Sequence, residues 1–257
     1  MWKTNNLNGK GLDTDIKNMC NLKRDFVVDT KRSVAQLIYR GKTIVIAKNK
    51  TPFKDGVKKS DITSLIGQVS KAVNRFILKN NFQINVIEQV HATTRMNRSK
   101  YEEMAEGEEF AYIDVKHCFW RIAFLNGYIS EKLYDKVLGR EDFKIYRNMA
   151  LACIVASRSR AYYIKGEFVN EISEYKPHHK TIYNNIRFAS YNLMGDIASY
   201  TKDNFLGYRT DGIMVTPEAI KTVTDIIEEN DLGFSVTKCT KVNNNQFVMG
   251  DKGIKKF

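Results

Sequence analysis

The sequence predicts an α+β fold on the evidence of three patterns. Short apolar or alternating runs are separated by glycine-containing turns, as in β-hairpins. Longer segments repeat apolar residues every three or four positions, as amphipathic helices do. Strands and helices follow one another in an order too irregular for repeated βαβ units, which favours an antiparallel sheet with packed helices.

The first 105 residues show a hairpin and an amphipathic helix most clearly. The hairpin has Gly41 in its turn, and the helix has Ser60 as its N-cap. Before them, the chain is rich in Asn and Lys and has no sustained period. The predicted elements are an irregular cap or poorly ordered arm over residues 1–30, a hairpin of Val34–Tyr39 and Thr43–Ala47, a helix from Asp61 through Ile77, and a strand over Phe82–Val90.

The remainder alternates strands and helices around a second hairpin. Gly139 separates two short helices, and Pro217 opens another helix. The predicted elements are a strand over Phe110–Val115, short helices on either side of Gly139, a helix continuing to about Arg160, an extended Tyr162–Phe168, a helix over Thr181–Thr201, a hairpin over Gly207–Thr216, a helix from Pro217 to about Asn230, and two final strands.

Charge divides the chain into two parts. The formal net charge of the 257 residues is +12, which favours polyanionic partners, and a pI near 9.4 agrees. Residues 1–105 carry 20 basic and 9 acidic side chains, whereas the rest carries 21 and 20. We therefore expect a basic N-terminal region over 1–105 and a second domain over 106–257, with a boundary in the polar connector before residue 109.

Several classes of protein are disfavoured by what the sequence lacks. It has no apolar run long enough to span a membrane and no signal-peptide core, so we expect a cytoplasmic protein with no membrane partner. The four cysteines are scattered without zinc-ligand spacing, and the four histidines form no ligand pattern. Glycine-rich phosphate loops and serine or cysteine nucleophile motifs are also missing.

Two segments each carry an Asp at the end of an apolar strand. They are YIDVKHCFW, with Asp114, and YRTDGIMV, with Asp211. An unpaired carboxylate among apolar residues costs several kcal/mol unless a cation or a hydrogen-bond donor meets it. Two such carboxylates brought together repel, and a divalent metal ion reverses that sign. The pair is what two-metal phosphoryl transfer requires, although a strand-end Asp that caps a turn is the alternative for each residue alone.

These two segments resemble the palm domain of family B DNA polymerases. The first is similar to the family's motif D-x-x-S-L-Y-P, with Phe119 in place of Tyr and Trp120 in place of Pro. The second is similar to Y-x-D-T-D-S, with the Thr210-Asp211 pair preserved. The resemblance covers roughly residues 108–250 and includes neither a thumb nor an exonuclease motif. It implies a palm-like antiparallel sheet with a short helical fingers-like insertion at about 130–160.

The resemblance also implies a set of functional residues. Asp114 and Asp211 are the expected catalytic residues and would bind Mg²⁺ or Mn²⁺ together with the backbone carbonyl of Val115. Phe119 would face the sugar of the incoming nucleotide. The triphosphate would be bound by basic residues before and within the weakly matched middle motif, namely Arg140, Lys144 and Arg147. An ordinary solvated helix face is the alternative for these bases, and core packing is the alternative for Phe119.

Nucleic acid is the expected partner of the basic surface. We expect contacts from Lys71, Arg75 and Lys79 on the first long helix and from Tyr208 and Arg209 in the second hairpin. Aromatic residues interspersed with the N-terminal bases could stack on bases; they are Tyr39, Phe53 and Phe76.

The expected function is therefore that of a small DNA polymerase- or primase-like nucleotidyltransferase of a virus or mobile element. It would use DNA, with RNA as an alternative, and nucleoside triphosphates, with a protein partner supplying a thumb or processivity function. Two departures from the family's motif favour an alternative to the enzyme. Arg209 stands where the family has a further acid, and Gly212 stands where it has Ser. A cation beside the carboxylates could replace the metal ion, giving an inactive palm that only binds nucleic acid or has a structural role.

Overall fold

A computed structural model describes residues 3–4, 12–31, 34–48, 57–81, 84–155, 158–174 and 176–257. The strands are β1 (Lys3–Thr4), β2 (Phe26–Lys31), β3 (Val34–Tyr39), β4 (Lys42–Lys48), β5 (Thr94–Met96), β6 (Glu109–Lys116), β7 (Arg158–Ile164), β8 (Glu167–Glu174), β9 (Phe205–Arg209), β10 (Gly212–Val215), β11 (Gly233–Asn243), β12 (Gln246–Met249) and β13 (Ile254–Lys256). The α-helices are α1 (Leu12–Asn21), α2 (Lys59–Lys79), α3 (Arg98–Glu103), α4 (Cys118–Leu125), α5 (Glu131–Leu138), α6 (Lys144–Ala152), α7 (Pro177–Thr201) and α8 (Ile220–Glu229).

The described strands form two antiparallel sheets, which confirms the predicted α+β class. Two compact units contain one sheet each. The first unit comprises residues 1–73 and 145–180, and the second comprises 74–144 and 181–257. The boundary predicted near residue 105 therefore lies inside the second unit. None of the helices in the described parts of the chain combines the length and apolar composition that crossing a membrane requires.

The sheet of the first unit has the order β1-β4-β3-β2-β7-β8. The hairpin of β3 and β4 confirms the prediction, and its turn has positive φ at both Arg40 and Gly41. The expectation of an irregular arm is wrong for residues 12–31, because they form α1 and β2. Leu12 and Met19 are buried on α1, which packs against β3 and β4, so an amphipathic helix covers the sheet.

The segment after α6 joins this first sheet through β7. A helix was expected to continue to about Arg160, but α6 ends at Ala152, a 3₁₀ turn follows, and β7 begins at Arg158. β7 pairs with β2 on one side and β8 on the other. The pairs with β2 join residues more than a hundred positions apart, so contacts distant in sequence help to determine this conformation. Between 131 and 155 the chain forms two short α-helices and two 3₁₀ turns, with Gly139 as the C-cap of α5, where the sequence predicted a break between helices.

The sheet of the second unit has the order β13-β12-β11-β6-β10-β9-β5, with β6 at its centre. α8 packs against β6 and β11. The hairpin of β9 and β10, the long helix α7 and the final strands β11 and β12 all confirm predicted elements. This unit also has a hydrophobic core cluster of buried side chains from several of its strands and from α3. Its members are Tyr101, Met104, Phe110, Leu206, Met214, Cys239, Phe247, Met249 and Phe257.

The expected strand over Phe82–Val90 is wrong for its described part, residues 84–90, which is extended but belongs to no sheet. Its backbone bonds instead to two side chains that lie two turns apart on α7. Asn185 accepts from Ile87 N at 2.9 Å and donates to Asn85 O. Asn192 accepts from Val90 N at 2.9 Å and donates to Glu88 O at 2.8 Å. Because helix side chains satisfy these backbone groups, the segment needs no partner strand.

We predict that Asn192→Ala loosens this extended segment without unfolding the sheet. The substitution removes the acceptor for Val90 N and the donor to Glu88 O. Hydrogen exchange should therefore become at least about tenfold faster at the amide of Val90, because each lost bond of this kind contributes roughly 1 kcal/mol. The amide of Ile113 in β6 should be unaffected. Asn184→Ala on the same helix is the control, and equal acceleration in both variants would contradict the proposed tether.

Candidate active site

The central strand β6 places Asp114 between two partner strands. Asp114 lies opposite Gly212 on β10 and opposite Ser235 on β11. Residues directly opposite in an antiparallel pair have Cα atoms roughly 4.5–5.5 Å apart, so the start of β10 adjoins Asp114. The side chain of Asp114 is half-buried, whereas its neighbours Ile113 and Val115 are buried on the other face of the strand.

Asp211 lies in the tight turn that joins β9 to β10, and three contacts fix this turn. Thr210, which has a positive φ of 58°, donates its N–H to Thr93 O at 2.9 Å. Its own carbonyl accepts from Ser190 Oγ of α7 at 3.0 Å. The carbonyl of Asp211 accepts from Val115 N at 2.9 Å. The turn is therefore tied both to a helix and to the strand that carries Asp114.

The two carboxylates interact electrostatically. Burial raises the pKa of Asp211 from 3.8 to about 6, and the negative charge of Asp114 adds to that rise. Lys144 opposes it, so its ammonium lies within electrostatic reach of Asp211. A partly buried carboxylate whose pKa is raised by a second carboxylate is characteristic of functional sites and of cation-binding sites.

Tyr112 is a third member of this site that the sequence analysis missed. It lies two residues before Asp114 on the same face of β6, and its hydroxyl donates to Asp114 Oδ1 at 3.5 Å. Burial and the charges of Asp114 and Asp211 raise the pKa of Tyr112 strongly, so the phenol is protonated and remains a donor. The sequence did contain one indication of this role, because residues two positions apart in a strand lie on the same face and Tyr112 is two positions before Asp114.

Tyr112 also explains why Gly212 follows Asp211. A Cβ at Gly212 would lie 2.0 Å from the Tyr112 hydroxyl oxygen and 2.4 Å from the ring carbon that bears it. No side chain fits there unless the ring moves. The tyrosine on the adjacent strand therefore leaves room only for glycine at position 212.

The buried cysteine next to the site is not placed as a nucleophile. Cys118 Sγ donates to Ser190 Oγ at 3.2 Å, and burial raises the pKa of the thiol to about 12. At neutral pH the thiol is protonated and packed. All four cysteines are free, as expected from their scattered positions.

The residues expected to bind the nucleotide differ in their exposure and in their contacts. Lys144 is exposed near Asp211, and Phe119 is half-buried on α4. Arg140 bonds to Asp142 at 2.6 Å and lies over the Phe143 ring, 3.8 Å from its centroid. Arg147 belongs to the first unit, and its side chain is buried. Trp120, the other aromatic of that motif, is fully buried core.

The residues expected to bind nucleic acid also differ in exposure. Exposed positions four residues apart on α2 form one stripe, as expected, and comprise Lys71, Arg75 and Lys79. Arg209 is exposed at the end of β9. Tyr208 requires a correction: its side chain is 1% exposed and its hydroxyl donates to Ala92 O at 3.0 Å, so it is part of the core. Tyr39 and Phe76 are half-buried, and Phe53 lies outside the described residues.

The carboxylate pair fits a divalent cation of the magnesium type. Mg²⁺ keeps several waters and is usually bound through one or two carboxylates together with phosphates of the substrate. Within the described ranges, no group of three or more Asp, Glu, His or Cys side chains is suited to holding a metal ion. A bound ion would need water and substrate oxygens to complete its ligands, and binding of Mg²⁺ or Mn²⁺ by Asp114, Asp211 and Val115 O remains a prediction.

Comparison of the chain with family models, curated proteins and solved structures finds no match. The class that the fold and site define is an α+β protein with two half-buried aspartates, one on the central strand β6 and one in the adjoining β9–β10 turn.

We predict that Asp211→Asn stabilises the protein at neutral pH and not at acidic pH. The folded-state pKa of Asp211 is raised above its ordinary value, so its contribution to stability is present below pH 3.8 and is lost as the pH rises through about 6. Removing the charge should raise the free energy of unfolding by roughly 2 kcal/mol at pH 7.5 and by little at pH 4. Urea unfolding without divalent ions measures both. The exposed Asp203→Asn is the control, and an equal gain at both pH values would refute the explanation.

We predict that Gly212→Ala destabilises the protein by about 1–3 kcal/mol because the new Cβ collides with the ring of Tyr112. The same change should cost clearly less in a Tyr112→Ala background, where the ring is absent. A double-mutant cycle from urea midpoints gives this coupling. Gly139→Ala, which has nothing within 4 Å of the new Cβ, is the matched control. Additive effects of the two substitutions would contradict the steric account.

Proposed function

We propose that this chain is a template-dependent nucleotidyltransferase, a small DNA polymerase- or primase-like enzyme acting in the cytoplasm of a host cell. The reaction is the attack of a nucleic-acid 3′-hydroxyl on the α-phosphate of a nucleoside triphosphate. The new oxygen–phosphorus bond replaces the bond to the leaving diphosphate, and the hydroxyl proton is lost to solvent.

The observation that carries the proposal is the paired placement of Asp114 and Asp211. The two side chains come from segments almost a hundred residues apart, and the β6–β10 register brings them together. Burial and the charge of Asp114 raise the pKa of Asp211 to about 6, so the folded protein maintains an electrostatically unfavourable pair. A pair maintained at such a cost is more readily explained by cation binding than by stability.

Each remaining residue has a definite role in the proposal. Mg²⁺ or Mn²⁺, when bound by Asp114 and Asp211, supplies positive charge to the transferring phosphate. Lys144 lies near Asp211 and is the basic residue that would bind the triphosphate, because Arg140 pairs with Asp142 and Arg147 is buried. Phe119 would contact the sugar. The exposed basic stripe of α2 would bind the nucleic-acid backbone, since phosphate neutralisation by Lys and Arg releases counterions.

A second candidate function is favoured by Arg209. It is exposed at the end of β9, two residues before Asp211. A guanidinium near the carboxylates would lower their need for a metal ion, as in an inactive palm-like protein that binds nucleic acid or has a structural role. The two functions share the fold and differ in whether the pair binds a divalent ion.

We predict that the purified protein extends a primer on a DNA template with Mg²⁺ or Mn²⁺ and that Asp211→Asn and Asp114→Asn each reduce the rate at least about a hundredfold. The loss follows because each substitution removes a carboxylate that would bind the ion. Incorporation of labelled nucleotide measures the rate, with RNA templates and unprimed strands as parallel assays.

The control for this experiment is Asp203→Asn, which removes an exposed carboxylate elsewhere and should leave the rate unchanged. Circular dichroism should show that all variants are folded. Equal incorporation by wild type and Asp211→Asn would falsify the catalytic proposal. Salt-sensitive DNA binding without incorporation in any metal ion would support the second function instead.

A further inference from the structure

A polar cleft lies beside the end of β6, in the second unit. Its volume is about 390 Å³, and the side chains that matter are Lys116, His117, Arg121, Tyr134, Glu228 and Asp231. They come from the end of β6, from α4 and its N-cap, from α5, from the end of α8 and from the turn that follows α8. Ligand pockets typically measure roughly 300–1,000 Å³, so this cleft suits one small molecule.

Arg121 is held in place within this cleft by groups that leave the end of its guanidinium available. Its Nε donates to Asp231 O at 2.9 Å, and the guanidinium lies over the rings of Phe124 and Tyr134, 5.3 and 5.5 Å from their centroids. Within the described ranges, its terminal amino groups have no hydrogen-bond acceptor or carboxylate within bonding distance. An immobilised arginine fork of this kind is suited to binding a phosphate through two hydrogen bonds.

Lys116 supplies a second positive charge to the same cleft. It is the last residue of β6 and is exposed, and within the described ranges no carboxylate lies within salt-bridge distance of its ammonium. By contrast, Lys238 on β11 pairs with Glu109. Two cations that line one cleft without carboxylate partners attract an anion.

Acidic side chains across the cleft limit which anion can bind. Glu228 and Asp231 are exposed, and both line the cleft. Their carboxylates repel a bare multiply charged ion but accept hydrogen bonds from hydroxyl groups. A ligand with a phosphate at one end and hydroxyl groups at the other satisfies both sides.

We propose that this cleft binds a ribose phosphate, whether free or as part of a mononucleotide, with its phosphate at Lys116 and Arg121 and its hydroxyl groups at Glu228 and Asp231. This binding does not depend on the nucleotidyltransferase function, because the Asp114–Asp211 pair takes no part in it.

The test is isothermal titration calorimetry of the full chain in EDTA with ribose 5-phosphate, AMP, adenosine and inorganic phosphate. Ribose 5-phosphate should bind at least about tenfold more tightly than inorganic phosphate, because only the sugar meets the acidic side. Lys116→Gln should weaken ribose 5-phosphate binding at least about tenfold, and Arg121→Lys, which keeps the charge and loses the fork, should also weaken it. Glu228→Gln should weaken ribose 5-phosphate and not inorganic phosphate.

The matched control is Lys255→Gln on β13, an exposed lysine outside the cleft, which should bind like wild type. AMP binding equal to that of ribose 5-phosphate would support the sugar phosphate as the recognised unit, whether free or part of a mononucleotide. The proposal is overturned if ribose 5-phosphate does not bind, if it binds no better than inorganic phosphate, or if Lys116→Gln and Lys255→Gln behave alike. Each of these results is independent of primer extension, so the two proposals can fail separately.

Discussion

The antiparallel pairing of β6 with β10 is the constraint on which the rest of the site depends. Its register sets Asp114 opposite Gly212 and therefore sets Asp211, one residue earlier, at the same end of the sheet. The bond from Val115 N to Asp211 O fixes the turn against β6. A slip of one residue would move Asp114 to the face occupied by the buried Ile113 and Val115, so the buried face of the strand keeps the carboxylates together.

The pair is stabilised by groups that reduce its repulsion without neutralising it. Tyr112 donates a hydrogen bond to Asp114, and Lys144 lowers the pKa of Asp211 against the larger effect of burial. Burial is the main cause of the strong rise in the pKa of Tyr112, and the negative charges of Asp114 and Asp211 add to it. Because the pKa of Asp211 still lies near 6, the folded protein at neutral pH retains an excess of negative charge that a bound cation can offset.

Local sequence patterns predicted the strands and the hairpin of the site. They could not predict features that depend on contacts between residues distant in the sequence. Apolar strands ending in Asp and a glycine turn were sufficient to predict β6 and the β9–β10 hairpin. Alternation over Phe82–Val90 could not show that its backbone partners were asparagine side chains on α7 rather than a strand. The burial of Tyr208 likewise depends on β5 and on Ala92 O, far away in the sequence.

The positions of the basic residues restrict which of them can bind a polyanion. Arg140, Lys221 and Lys238 pair with nearby carboxylates at 2.5–2.6 Å, and Lys241 is buried with its ammonium donating to three backbone carbonyls around the end of α3. These cations are committed to the protein itself. The exposed cations of α2 and Lys144 near Asp211 are the ones that remain available to a polyanion at the proposed site.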